Sequence, residues 1–231
     1  GLSTDQFRAL NSRQLQALAP AQLQEIKPSQ WASIGSAQIR SLKKEQLTEF
    51  GPEALRSLTV AQISGLSSEQ IKGIVADLIS ELRPEQVSVL TTLQLRSLSV
   101  EQIQDISNSQ VGILQAPQVA VLDVAQVQAL TTDQMAALTP AQLRTFTTDE
   151  FVALSSEQTS GISVGSLIGL STGQLAAARV DQIQALPSEV FRGWSPAQFF
   201  SLRSSQIVTL TSVQIEALSP PQLNSINSAT F

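Results

Sequence analysis

The chain has 231 residues, of which 42% are apolar, 14% charged and 4% aromatic, and it contains no Cys, His or Tyr. Those absences exclude thiol and imidazole nucleophiles, disulfides, zinc-finger sites and a Ser-His-Asp triad. With 14 Lys and Arg against 19 Asp and Glu, the net charge of -5 argues against nucleic acid as a partner, because a phosphate backbone is bound through clustered basic residues.

Read from the N-terminus, Gln falls at positions 6, 14, 22, 30, 38 and 46 and then, with gaps, at every eighth residue to Gln222. Of the 29 slots on this grid 23 hold Gln, and the exceptions are Ala54, Leu78, Glu150, Ser166, Val190 and Thr230. We letter the octad a to h, with a at Ser3 and the Gln at d. Position e is apolar in 28 of 29 octads, from Phe7 to Phe231, with Thr159 the exception, and h is apolar throughout. The e and h slots differ by three residues. That parity rules out a strand, in which residues on one face differ by an even number. A continuous helix fails as well, since an eight-residue repeat brings its apolar stripe back out of phase at 3.6 residues per turn. The spacing predicts a short helix restarted in every octad.

The local chemistry supplies each restart. Position a belongs to the N-cap set Ser, Thr, Asn, Asp or Gly in 20 of 29 octads. With Gln three residues on, the pair reads as a capping box, as in Thr131 with Gln134 and Thr139 with Gln142. Seven of ten prolines occupy b, the first helical position, where the missing donor costs little. Twelve of nineteen acids occupy c, in the first turn, where a helix favours negative charge. The h and e residues flank each cap as a hydrophobic staple. Helices this short are not stable alone and must stack. Small residues at g, such as Ala9, Gly65, Gly73 and Ala137, allow close approach between neighbours. The expected fold is all-α: an elongated α-solenoid of about 29 octapeptide repeats, each a short capped helix plus a turn, continuous over residues 1–231 as a segment of a longer protein. Two or three octads per superhelical turn both remain open.

Three places depart from the pattern. At Val75 the cap is lost, and GIVADLISEL (Gly73–Leu82) also lacks the Gln, so two octads are expected to fuse into one longer helix, with a hinge as the alternative. Around 159–178 the glycines at 161, 165, 169 and 173 predict the softest stretch, read as close packing in preference to a binding site. At f, Arg8, Arg40, Arg56 and Lys72 would form a stripe if two octads made a turn, but they are read in preference as part of a solvated face. The same slot is apolar at Val152, Ile168, Phe200 and Val208, and these are the candidate partner-binding residues, with a widened core or a C-terminal cap as the alternative.

Segments such as LTTDQMAALTPAQLRTF and LSVEQIQDIS resemble the tandem L-T/S-x-x-Q-I/V-x-A-L arrays of very large bacterial surface and secreted proteins, adhesin-like ones among them. The units are also similar to the LSPEQL-like repeats of mesothelin-type superhelical ectodomains, although the cysteines and glycan sites of those are missing here. The first resemblance implies an extracellular or cell-surface setting.

No phosphate loop, paired-carboxylate motif, metal-ligand cluster or calcium loop occurs, and only four lysines are present, so neither a catalytic residue nor a cofactor or metal site is nominated. No apolar run approaches the length of a transmembrane helix. The expected function is that of a non-enzymatic spacer or interaction scaffold, with recognition of a protein or peptide through the f slots as the alternative. Self-association or a protein partner is the expected kind of contact, with no nucleic acid and no small-molecule substrate.

Overall fold

The helix restarts in each octad as far as Pro220, with a 3-10 turn at Ala76–Leu78 in place of one α-helix, whereas the last helix, Pro220–Ala229, runs on through the corner expected at residues 226–227. A computed structural model describes residues 2–229, with side chains described as far as Asn224; Gly1, Thr230 and Phe231, the last two in d and e slots, lie outside the described residues. Among the described residues are 27 short α-helices, one 3-10 turn and no strand. They fall into two compact units, the first ending at Leu114 and the second beginning at Gln115. Each unit is an all-α repeat solenoid and is described by itself.

Two consecutive extended residues, h and a, make the corner, as at Leu58 and Thr59. Leu58 has φ -61° and ψ 137°, and Thr59 has φ -72° and ψ 159°. No described residue has positive φ, so no corner depends on the left-handed region that favours glycine. The extended a residue also suits proline at b, since a residue preceding proline is pushed out of the helical region. Both halves of the capping box form where a is Thr: Gln134 and Gln142 accept the Thr131 and Thr139 amide hydrogens at 2.8 and 2.7 Å, and the hydroxyls accept in return. Where a is Ala19, Lys27 or Gly35, the N3 amide turns to the carbonyl of the cap residue at 2.9 Å. The Gln half of the box survives in all three, at 2.9, 2.8 and 2.7 Å. Helices also start at Gly51 and Pro187, where both the cap acceptor and the Gln are missing, so neither half of the box is required at every restart.

Helices pack three octads apart. In the first unit Thr4–Arg8 lies on Pro28–Ser33, which lies on Pro52–Ser57; in the second, Thr132–Ala137 lies on Ser156–Gly161, which lies on Val180–Ala185. Each superhelical turn is three octads, which resolves the choice left open by the sequence. The stripe of Arg8, Arg40, Arg56 and Lys72 required two octads per turn. It does not form, because octads 1 and 7 share one side of the turn while octads 5 and 9 occupy the other two.

The d-slot Gln joins successive turns. Its Oε1 accepts from its own cap amide, and its Nε2 donates to the e and h carbonyls four octads back. Gln94 bonds Ile63 and Leu66 at 2.9 and 2.8 Å, and Gln206 bonds Leu175 and Ala178 at 2.9 and 2.7 Å. The e carbonyl already accepts from the h amide of its own octad, whereas the h carbonyl lies past the helix end with no intrahelical partner. One buried amide thus caps the start of its own helix and the end of a helix in the turn below.

The e and h side chains fill the interior, with Leu55, Leu58, Ile63, Leu95, Met135, Leu143 and Leu167 fully buried. Aromatic residues stack from turn to turn at one end, where Phe7 meets Trp31 edge-on at 5.5 Å between ring centres and Trp31 meets Phe50 at 4.4 Å. The core has a direction. In the first turn e is buried while Leu10, Leu18 and Ile26 at h are only half-buried; in the last described turn Leu218 at h is buried while Ile215 and Leu223 at e are exposed. Each turn presents e to the turn that follows, and h together with the Gln amides to the turn before.

The g slot abuts the b residue of the turn below. A Cβ added at Gly65 would come within 3.2 Å of the Ser36 Cβ, and one at Gly73 would come within 2.6 Å of the Lys44 carbonyl oxygen. In the glycine-rich stretch, Gly161 and Gly169 fill g and face Thr132 and Pro140, whereas Gly165 faces open space. Its helices Ser156–Gly161, Val164–Ile168 and Thr172–Ala177 and its buried residues Leu167 and Leu175 follow the common pattern. At Val75 the expected fusion into a longer helix does not occur. The octad holds only the 3-10 turn Ala76–Leu78, whereas the octads of Gly51 and Pro187, which also lack a cap acceptor and a Gln, form full helices; Ile79 and Leu82 stay buried in register.

Two predictions follow from this geometry. Gln94→Glu keeps the cap acceptor but replaces the donor with a carboxylate oxygen facing two carbonyls, so it should cost about 2–4 kcal/mol in denaturant unfolding. Gln14→Glu, in a first-turn slot with no described turn beneath it, should change stability by less than about 0.5 kcal/mol. The reciprocal change, Glu150→Gln, should stabilise by about 1 kcal/mol. For the glycines, Gly165→Ala should raise stability by up to about 1 kcal/mol through helix propensity, and Gly73→Ala should lower it by about 1–3 kcal/mol through overpacking; thermal melts of the pair distinguish the two.

Candidate interaction surface

The outward slots are used largely for bonding between turns. From f, polar side chains reach the g position of the next turn, always 25 residues on. Gln16 donates to the Ser41 carbonyl at 2.6 Å, Gln128 to that of Ala153 at 3.1 Å, Arg144 to that of Gly169 at 3.1 Å and Gln184 to that of Thr209 at 3.2 Å. Arg56 reaches the Glu81 carbonyl at 3.3 Å and also pairs with its carboxylate. Arg at a reaches the other way: Arg83, Arg179 and Arg203 donate to the h carbonyls of Leu58, Leu154 and Ala178 at 3.1, 3.1 and 3.0 Å. These bonds were missed in the sequence because they join residues 25 apart. Once a 24-residue turn is known, f and the next g are neighbours.

The apolar f residues cannot make such bonds. Val152 and Ile168 are half-buried, while Phe200 and Val208 are 55% and 67% exposed. Ile168 lies against Gly193, the g residue of the following turn. Three octads per turn distribute the four residues over all three sides, with Val152 and Phe200 on one side two turns apart. They do not form one continuous strip.

Three of the d-slot exceptions, and the polar residue in an e slot, show how the interior adjusts. Ser166 keeps half of the Gln function, donating to the Leu138 carbonyl at 2.6 Å. Glu150 accepts the Thr147 amide hydrogen at 2.8 Å but, as a carboxylate, brings no second donor. Val190 fills its slot with buried apolar surface, and in the same octad Trp194 donates its ring N–H to the Leu167 carbonyl at 3.2 Å. Thr159, fully buried in an e slot, satisfies its hydroxyl on the Ser155 carbonyl at 2.9 Å.

The most developed charged cluster links two turns. Arg179 holds Asp181 through two hydrogen bonds of 3.0 and 2.8 Å, and the Ser156 hydroxyl donates to Asp181 at 2.7 Å. Arg179 also donates to the Val152 carbonyl beneath it. The Arg179 guanidinium, followed by the Ser156 hydroxyl, holds the Asp181 carboxyl down at about 2. Glu101 and Glu157, both in c slots, lie below the ordinary carboxylate range because their own backbone amides at the helix start, and then the cap serines, donate to them.

Among the described residues no group of three acids is placed to hold a metal ion, and no helix is long and apolar enough to cross a membrane. The chain matches no protein-family model, and comparison with curated proteins gives no match.

Because the Asp181 carboxyl is depressed when folded, its contribution to stability is present above the unfolded aspartate range near pH ~4. It is lost as pH falls through about 2. The side chain is 52% exposed. Asp181→Asn should therefore cost less than about 1 kcal/mol at pH 7. In thermal melts across pH, the difference from the unsubstituted chain should close between about pH 4 and pH 2.

Proposed function

We propose that this chain is a non-enzymatic structural scaffold module of a large extracellular bacterial repeat protein, serving to space, display or assemble other parts of it. The supporting observation is the Gln bridge, which recurs in turn after turn of both units and spreads stabilisation along the chain instead of concentrating chemistry at one place. Stacked repeats of this kind are held by nearest-neighbour terms, so their length can change without loss of the fold. The resemblance to bacterial surface arrays supports the extracellular setting.

A second reading, recognition of a protein partner, is favoured by the exposure of Phe200 and Val208, which carry large apolar side chains in slots that are otherwise polar. One series of variants in the parent protein separates the two. Deleting whole turns, for example residues 139–162, should leave helicity intact by circular dichroism and alter the parent's activity gradually with the number of turns removed. Abolition of that activity by Phe200→Asp with Val208→Asp, at unchanged unfolding midpoint, would defeat the scaffold reading and favour the second.

A further inference from the structure

Four of the missing d-slot glutamines fall in pairs. Ala54 and Leu78 stand one turn of 24 residues apart, and so do Ser166 and Val190. A Gln in slot d serves the amide of its own cap residue and the h carbonyl four octads back, so two losses one turn apart strip both bonds from a single peptide group. The Leu58–Thr59 peptide shows the complete arrangement: the Thr59 amide donates to Gln62 at 2.6 Å, and the Leu58 carbonyl accepts from Gln86 at 2.7 Å and from Arg83 at 3.1 Å. At Phe50–Gly51 neither bond forms among the described residues, because Ala54 offers no acceptor to the Gly51 amide and Leu78 no donor to the Phe50 carbonyl. At Ile162–Ser163, Ser166 engages the Ser163 hydroxyl at 3.0 Å and leaves its amide, and Val190 brings no donor to the Ile162 carbonyl. The reserve donor is missing as well. Slot a, from which Arg83, Arg179 and Arg203 reach h carbonyls, holds Val75 above Phe50 and Pro187 above Ile162. A single loss costs a corner less: Glu150 brings no donor to the Leu122 carbonyl, but the Asp123 amide still donates to Gln126 at 3.0 Å.

We propose that these two peptides are built-in opening points: each unit parts locally at its doubly stripped corner, turn from turn, while the neighbouring corners hold. Phe50 and Ile162 are buried. A buried carbonyl without a donor favours any state in which water reaches it, and local opening is such a state. In the first unit the corner residue adds no packing of its own, since a Cβ at Gly51 would meet no atom within 4 Å. What holds this corner is apolar contact, chiefly Phe50 stacked on Trp31 at 4.4 Å between ring centres. Apolar contact is non-directional and yields gradually, whereas the Gln bridges at the corners on either side are directional and fix the register. A stack that parts at a set corner answers a pull there first and keeps the rest of the unit folded. The opening is a property of the stack and holds under either functional reading.

The test is native-state amide hydrogen exchange on the 231-residue chain at increasing denaturant. The Phe50 and Leu55 amides, which donate to Leu47 and Gly51 at 3.2 and 3.1 Å, flank the stripped peptide; those of Leu58 and Ile63, donating to Leu55 and Thr59 at 3.2 and 3.0 Å, flank the served one. The first pair should exchange about tenfold faster or more. Its rates should also depend less on denaturant, because local opening exposes less surface than unfolding. In the second unit the Ile162 and Leu167 amides should likewise outpace those of Leu170 and Leu175, whose corner keeps both bonds. Ala54→Gln with Leu78→Gln restores both partners of the Phe50–Gly51 peptide, and Leu78→Gln alone restores the donor; circular dichroism checks that each folds. The double variant should bring Phe50 and Leu55 to the rates of Leu58 and Ile63, the single variant part of the way, and neither should alter Ile162 or Leu167. Equal rates and slopes for the two pairs in the unsubstituted chain would overturn the proposal. So would unchanged fast exchange at Phe50 and Leu55 in a folded variant.

Discussion

A single glutamine side chain closes two helices at once, and the repeat is organised around that fact. Each octad helix is so short that most of its backbone groups belong to an end, where amides at the start and carbonyls at the finish lack intrahelical partners. Water can serve those groups at a surface. Here they face the interior, where an unmade hydrogen bond costs on the order of 1–3 kcal/mol. Gln carries one acceptor and two donors on a terminal amide. Its oxygen takes the cap amide of its own helix, and its nitrogen serves the carbonyls of a helix four octads back. Glu would supply only acceptors. That explains why 23 of 29 slots hold Gln and only one holds Glu, although a capping box alone accepts either.

The same reasoning accounts for the outer slots. A 24-residue turn brings f beside the next g, so Gln or Arg at f adds a second line of bonds between turns. When a holds Arg instead of a cap residue, the guanidinium reaches an h carbonyl that the Gln also serves, as Arg83 and Gln86 both do at Leu58. The exceptions are compensated locally. Ser166 donates to one carbonyl where Gln would reach two, and the buried Thr159 hydroxyl turns back onto its own helix. Around Val75 the helix is reduced to a 3-10 turn without displacing the core residues Ile79 and Leu82, and where Gly51 or Pro187 replaces the cap and Ala54 or Val190 the Gln, a full helix still forms. The pattern tolerates single losses because each turn is held at several corners.

Bonding between turns occupies many of the polar side chains. The acids sit mainly at helix starts, where backbone amides use them, and the strongest charged cluster, Arg179 with Asp181 and Ser156, serves to tie one turn to the next. Among the surfaces that remain uncommitted are apolar f residues such as Phe200 and Val208. The proposal of a scaffold with extensive, repeated interactions rests on this distribution.

The eight-residue period by itself determined the restarted helix, its cap, the proline and acid positions, and the e and h core, because each depends on residues within a few positions of one another. It also identified g as a close contact, although not what it touches. The number of octads per turn, the second role of the Gln, the pairing of f with g and the direction of the core were decided only by tertiary structure. All of these join residues 23 to 31 positions apart, and an octad that repeats almost unchanged gives no signal of which distant copy it meets. The candidate surface was legible only as a set of apolar residues in one slot; Val152, Ile168, Phe200 and Val208 share a letter in the repeat, but a turn of three octads spreads them over three sides, with only Val152 and Phe200 on the same one.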